Sequence, residues 1–267
     1  MSQIQLLIAT MHQTDYSLLD KMNIRSDAVV VNQCDRNSRQ SFLHNGHVIL
    51  WIDSTQRGLS KSRNMAISAA TADICLISDD DMIYRDDYVS SVSSAFLEYP
   101  DTDIIRFEVA GIEKPFKHYD HIAGKMGYLS SMKSSSVELA FKRSSIVDNH
   151  IRFDETIGAG TEFLMGEENA FLFSCLRHRL SIRYVPTVIA DLHIGNSSWF
   201  SGYNEQYFIG KGASFAAMSP RFSRLLIVQF LVRKNKLYRA SVSPIQALKY
   251  MLSGRKLYLL RRQAHDT

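Results

Sequence analysis

Apolar residues along the first half of the chain recur in two alternating rhythms. Short β-branched and aliphatic runs at 4–9, 28–31, 48–52, 74–77 and 104–109 predict buried strands. Between them, residues 16–22, 61–70 and 88–97 carry the three-and-four spacing of helices, with turn chemistry at Asp73 and at Pro100-Asp101. This alternation is that of βαβ units around a mixed, mostly parallel sheet flanked by helices, an α/β fold. The second half is less regular. Val137, Leu139 and Phe141 alternate with polar neighbours as in a half-buried strand, and Gly158-Ala159-Gly160 reads as a loop. Residues 167–177 predict a helix with Ala170, Phe171, Phe173 and Leu176 on its apolar side. Strands are expected at 182–185 and 188–192, divided by Pro186. From about Ser201 the pattern turns helical, over 225–237 and over 244–260 with a break at Gly254. The expected organisation is one α/β domain over 1–200 and a C-terminal helical extension over 201–267.

With 267 residues, 45% of them hydrophobic and 22% charged, the chain has the balance of a soluble globular protein with one ordinary core and an appendage. No apolar run approaches the roughly 18 residues of a membrane span. The apolar run 4–9 has no basic region before it and no cleavage site after it, so it reads as a strand and not a signal peptide. Cys34, Cys75 and Cys175 are an odd set without CxxC spacing, read as reduced core thiols of a cytoplasmic protein. Charge is unevenly spread. Residues 221–267 hold eleven Lys or Arg against the single acid Asp266, while the remainder has an excess of acids. An acidic body and a basic tail imply different partners.

Asp79, Asp80 and Asp81 follow directly on the strand 74–77, where ligands bind in open α/β sheets. Three adjacent anions repel one another unless a cation compensates, and hard oxygen ligands select Mg²⁺ or Mn²⁺. The competing reading dresses a helix start with acids, but Met82, Ile83 and Tyr84 intervene and Asp86-Asp87 already serve that start. Glu167-Glu168 opens a helix behind the stretch from Gly158 to Gly166. Adjacent helical carboxylates cannot share one face, so at most one addresses a reacting centre. Alone, that pair would read as acids favoured by the macrodipole. His193 ends the strand 188–192; an imidazole there can complete an oxygen-rich metal site.

The run GLSKSRNMAISAATADICLISDDDMIY, Gly58 to Tyr84, resembles the core of the family-2 glycosyltransferases of the GT-A fold, of the bacterial cell-surface polysaccharide type. Phe153-Asp154-Glu155, the glycine loop, Gly166-Glu167-Glu168, Tyr184-Val185-Pro186 and His193 follow in the family's order, so the resemblance spans residues 4–195. Three departures stand out. Thr10-Met11-His12 replaces a proline and an aromatic, Ser78 replaces an aspartate, and Glu168 replaces the usual Asp of a Glu-Asp pair.

The resemblance implies a Rossmann-like GT-A fold, a nucleotide-sugar donor of the UDP kind and Mn²⁺ or Mg²⁺. It places Asp81, then Asp79, and His193 at the metal, and Asp79 and Asp80 at the donor. Thr10 falls beside the uridine and Asp35 near the base. Arg57 and Lys61 stand where a cation meets the ribose-diphosphate, Lys61 being equally readable as a solvated helix residue. Arg63 and Asn64 pack and cap inside the fold. Glu168, with Glu167 as the other choice, is the general base that deprotonates an acceptor hydroxyl, with inversion. The acceptor is a glycan or lipid-linked saccharide, bound by the loops 110–136 and 194–205.

Other readings fare worse. A nucleotidyltransferase needs a glycine-rich loop after the first strand, and Thr10-Met11-His12-Gln13 has none. An aspartyl phosphatase needs an Asp before Asp15. A non-catalytic nucleotide- or sugar-binding module does not need a base. Nucleic acid is not an expected partner, because the basic tail lacks interleaved base-stacking residues. The tail is instead expected to form amphipathic helices lying on an anionic membrane, which would hold the protein peripherally on the inner face of the cell membrane; the competing reading packs their apolar stripes on the catalytic domain with the charges solvated outside.

Overall fold

A computed structural model describes residues 3–195 and 202–265. In chain order the elements are β1 (Ile4–Met11), α1 (Ser17–Lys21), β2 (Asp27–Gln33), β3 (Ser38–His44), β4 (His47–Ser54), α2 (Leu59–Ala69) and β5 (Ile74–Asp79). Next come β6 (Met82–Tyr84), α3 (Tyr88–Glu98), β7 (Ile104–Gly111), β8 (Gly124–Met126), α4 (Tyr128–Ser131), β9 (Leu139–Lys142) and α5 (Arg143–Val147). The chain closes with α6 (Glu167–Arg177), β10 (Ile182–Leu192), α7 (Glu205–Met218), α8 (Ser223–Tyr238) and α9 (Pro244–His265). Residues 196–201 of the expected acceptor loop 194–205 lie outside the described residues, as do Asp266 and Thr267 of the tail.

The strands form one mixed sheet in the order β3-β4-β2-β1-β5-β9-β7-β10-β6, with β8 on β10. β1, β2, β4 and β5 run parallel, as do β7 and β10, and β9 joins the two groups by pairing antiparallel with β5 and β7. This is the GT-A, Rossmann-like arrangement, with helices on the sheet and a helical extension at the C-terminus. The parallel strands are buried on both faces, which is why they read as unbroken aliphatic runs. Leu6, Ile8, Val30, Trp51, Leu76 and Phe107 belong to one core with Tyr88, Val92 and Phe96 of α3.

The chain divides into two compact units. One comprises Met1–Arg57, Lys61–Arg152 and Cys175–Asn196 and holds the sheet; the other comprises Gly58–Ser60, Phe153–Ser174 and Ser197–Thr267. In the second, α7 and α9 run antiparallel in close contact. A Cβ added to Gly212 would sit 2.0 Å from the Met251 carbonyl oxygen, and one added to Gly254 would sit 1.9 Å from that of Ile209. Gly254 therefore does not break α9; it lets two backbones touch. Pro186 likewise does not divide β10, which continues through a register shift between Tyr184 and Val188, the kind of irregularity where a sheet tolerates proline. The stretch 137–141 is not half-buried: a 3₁₀ turn at Ser136–Glu138 leads into β9, and Val137, Leu139 and Phe141 are all buried. β3 is an added edge strand, joined to β4 by a tight turn whose Asn45 and Gly46 both have positive φ. Among the described residues no helix is long and apolar enough to cross a membrane.

Candidate functional site

Four adjacent parallel strands end in polar side chains: Thr10 on β1, Asn32 on β2, Asp53 on β4 and Asp79 on β5. Thr10, Asn32 and Asp53 are buried, so each must be hydrogen-bonded. They satisfy one another. Asp53 Oδ1 accepts from Asn32 Nδ2 (2.8 Å) and Trp51 Nε1 (3.0 Å), and Oδ2 accepts from Arg36 Nε (2.6 Å) and Ser38 Oγ (2.9 Å). The Asn32 amide holds the Gln13 backbone at both ends, donating to its carbonyl and accepting from its N–H at 3.0 Å each. Gln13 Nε2 donates to Thr10 Oγ1 (3.0 Å), which donates to Asp80 Oδ2 (2.5 Å). A continuous polar chain thus runs along the carboxyl ends of the strands from buried Asp53 to exposed Asp80. Burial raises the Asp53 carboxyl, but the bonds from Arg36, Asn32, Trp51 and Ser38 outweigh it and hold the group below the usual carboxylate range.

The three aspartates have three different surroundings. Asp79 is paired with the buried guanidinium of Arg63 at 2.9 Å, which also donates to Ser136 Oγ (2.6 Å). Asp80 takes the Thr10 hydroxyl. Asp81 is followed at once by β6, which pairs with β10 so that Met82 faces Leu192 and the His193 N–H donates to the Asp81 carbonyl at 3.0 Å. A strand, not a helix, follows the triplet, so the acids do not serve a helix start. Crowding by the surrounding chain, then the charge of Asp79, pushes the Asp81 carboxyl up to about 6; Asp80 adds to this and His193 opposes it. Its outer edge remains open to solvent.

His193 has a partner that sequence reasoning missed. Nδ1 lies 2.8 Å from Glu113 Oε1, and the other carboxylate oxygen accepts from the Ile194 N–H at 2.6 Å. These two bonds hold the Glu113 carboxyl below its ordinary value. Glu113 reaches His193 because the chain turns sharply after β7: a Cβ on Gly111 would be 2.1 Å from the Lys114 oxygen and 2.4 Å from Ile194 Cδ1. With Nδ1 taken by a carboxylate, Nε2 is the ring nitrogen that can take a metal, and this is the usual outer support of a metal-binding histidine.

Among the described residues no three His, Cys, Asp or Glu side chains are gathered tightly enough to hold a metal by themselves. A cation shared with a diphosphate does not need such a cage, since one or two protein ligands suffice when phosphates supply the rest. Asp81, whose carboxyl is pushed up by crowding and by the neighbouring aspartate charges, and His193, oriented by Glu113, fit that smaller role.

Asp35 is exposed on the loop after β2 and pairs with Arg57 at 2.7 Å; Arg57 also donates to the carbonyls of Cys34 (2.8 Å) and Ser54 (3.2 Å). Lys61 is half-buried in the first turn of α2. All of these belong to the sheet-bearing unit.

In the second unit the glycine stretch is built by close approach. The Leu59 N–H donates to the Ala159 carbonyl at 3.0 Å, and a Cβ on Gly160 would stand 3.1 Å from Gly58 Cα. Gly158, at φ +105°, covers Glu167: a Cβ there would lie 2.9 Å from Glu167 Cδ. Glu167 is accordingly buried, while Glu168 is half-buried. Lys211 lies above the rings of Phe215 and Phe230. Burial pulls its ammonium below the usual lysine value, and the charge of Glu168 opposes that shift. The two adjacent glutamates are therefore distinct, one packed under glycine and the other beside a lysine.

Two cavities, of about 340 and 330 Å³, lie elsewhere. Asp20, Arg25 and His47 line the first, and Asp73, Pro100 and Arg143 the second, both by the amino ends of parallel strands and away from the acids.

Comparison with solved structures gives S. aureus TarS 1–349 in complex with UDP-GlcNAc, at 14% identity and TM-score 0.63, covering 90% of this chain and 74% of that one. TarS 1–349 without a named ligand gives 14% and 0.61, covering 98% and 92%. The mannosyltransferase PcManGT from Pyrobaculum calidifontis, in complex with GDP-Man and Mn²⁺, gives 12% and 0.52, covering 95% and 74%. At these identities the likeness establishes the fold. A comparison with curated proteins returns no match. The family described as Glycosyl transferase family 2 matches residues 10–160, more than half of the chain, spanning the polar strand ends, the acid triplet and the glycine loop. The chain belongs to glycosyl transferase family 2.

Proposed function

We propose that this protein transfers a sugar from a UDP-sugar to a hydroxyl of a glycan or lipid-linked saccharide, with inversion at the anomeric carbon. The observation that carries the reading is the placing of Asp81, its carboxyl pushed up by crowding, beside a histidine that Glu113 holds by Nδ1. Mn²⁺ or Mg²⁺ held by Asp81 and His193 would act as a Lewis acid on the leaving diphosphate. Asp79 keeps the strand end in place through Arg63, and Asp80, steadied by Thr10, faces the donor. Thr10 lies at the uridine, and Asp35 with Arg57 frames the base and ribose. Lys61 offers a charge to the phosphates. Glu168 removes the proton of the acceptor hydroxyl as that oxygen attacks the anomeric carbon, a role suited to the more open of the two glutamates. Residues 1–200 would carry the catalytic domain and 201–267 the basic helical tail. The UDP-GlcNAc and GDP-Man complexes of the similar folds support a nucleotide-sugar donor, and the Mn²⁺ of the latter supports the metal.

The test is a panel of UDP- and GDP-sugars offered to the purified chain with Mn²⁺, with Mg²⁺ and with excess chelator, read by thermal shift and nucleotide release. One or more UDP-sugars should stabilise the protein in a metal-dependent way, and Asp81→Ala should abolish turnover with the fold retained. Undiminished turnover in chelator would overturn the metal assignment. A response confined to GDP-sugars would overturn the choice of nucleotide.

A further inference from the structure

The basic tail has no part in the chemistry above, and its outward faces have an unusual composition. Leu225, Val228, Val232, Lys236 and Arg239 follow one another at steps of three and four residues, so they share one face of α8 and its C-terminal end, and Arg221 lies in the turn before the helix. All six are exposed, Leu225, Val228 and Val232 by more than half of their surface. On α9, Ile245, Lys249, Leu252, Lys256 and Leu260 repeat the scheme, and all five are exposed. The opposite faces are occupied within the same unit: Leu226, Ile227 and Tyr238 on α8 and Ala247, Met251, Gly254 and Tyr258 on α9 are buried. These outward aliphatic side chains are therefore not the core stripe of either helix. Each helix has a second stripe: on α9 Lys249 and Lys256 alternate with the aliphatic residues, on α8 Lys236 and Arg239 follow them, and no acid occurs from residue 221 to 265.

The geometry points to an anionic phospholipid surface as the partner of this face. Large aliphatic side chains interleaved with cations suit the boundary between headgroups and acyl chains, where the former enter the apolar layer and the latter meet phosphate. A protein partner of matching charge would leave cations between the apolar anchors, where stable interfaces are depleted of charge. A nucleic acid would use the cations but not the leucines, valines and isoleucine. The helices lie along the surface, since neither is long and apolar enough to cross a bilayer. This inference stands independently of the proposed reaction, because its readout is binding and not turnover.

The experiment is flotation of the full chain with phosphatidylcholine vesicles with and without phosphatidylglycerol, at low and high salt. Binding should be at least about tenfold stronger with the anionic lipid and should weaken as salt screens the charges. The triple variant Leu225→Ser, Val228→Ser, Val232→Ser should lose binding at unchanged charge. Lys249→Gln with Lys256→Gln should weaken the preference for anionic lipid by about tenfold. The altered side chains are exposed, and circular dichroism checks that the variants fold. Equal binding to both vesicle types, or none to either, would overturn the inference. So would binding to single-stranded RNA as tight as to the anionic vesicles and indifferent to the serine substitutions, which would mark a plain polyanion surface.

Discussion

Replacing Asp53 with asparagine should destabilise the sheet-bearing unit by about 2–3 kcal/mol at neutral pH. The side chain is 2% exposed and accepts two hydrogen bonds on each oxygen. An asparagine that keeps its oxygen toward Asn32 and Trp51 turns its N–H groups toward Arg36 and Ser38, which now donate. The Ser38 hydroxyl can rotate and accept, and the exposed Arg36 can swing into water. One buried N–H then lacks an acceptor, at a cost of about 1–3 kcal/mol. The two bonds that survive lose their charge assistance and are roughly halved in strength. The flipped amide is worse, since it faces two buried donors. The sum corresponds to a fall of about 4–10 °C in melting temperature for a unit of this size. The pH dependence has a definite sign. The native Asp53 carboxyl titrates below its unfolded value of about 4. Its contribution is therefore full above that value and fades as pH falls through it toward the native one. The gap between parent and variant should be about 1 kcal/mol smaller at pH 3 than at pH 7. Urea unfolding followed by circular dichroism at both pH values measures this. A variant that melts within about 1 °C of the parent, or a gap that widens in acid, would refute the reasoning.

Three further outcomes are expected. Glu168→Gln should lower turnover by about 10²–10⁴ with donor binding kept, whereas Glu167→Gln, under Gly158, should chiefly lower the melting temperature; the reverse pattern would exchange their roles. Glu113→Ala should weaken Mn²⁺ binding by about 10–100-fold, read by the electron paramagnetic resonance of free Mn²⁺, with only a small fall in the metal-free melting temperature; an unaltered affinity would count against His193 as a ligand supported by Glu113. Gly254→Ala should cost at least about 1–3 kcal/mol in thermal unfolding, because its methyl meets backbone that cannot step aside; a stable variant would show that α7 and α9 separate freely.

Strands buried on both faces announced themselves as aliphatic runs, and the acid triplet stood out because it follows one of them. Asp53 occupies the same position after the run on β4 and could have been read in the same way; it was hidden by being a single acid. β3 escaped because an edge strand exposed along most of its length reads as a polar loop. Pro186 and Gly254 were misread for a common reason. Local propensity treats proline and glycine as breakers, while the fold uses one at a sheet irregularity and the other for a close helix approach. Glu113 was beyond reach, since its role depends on a turn at Gly111 that brings it onto His193, 80 positions along the chain.

The glycine contacts between α7 and α9 limit how the tail can vary in length. Gly212 meets Met251 and Gly254 meets Ile209, so both contacts depend on the same three-residue interval on each helix. Inserting or deleting a single residue inside either interval turns the helix by about 100° and puts a side chain where a carbonyl stands. Point substitutions on the outward faces of these helices leave that packing untouched, whereas single-residue indels between the contacts do not. Length variation should therefore be confined to the connections on either side of α8 and to the chain beyond the buried Tyr258, leaving the glycine pair as a fixed ruler.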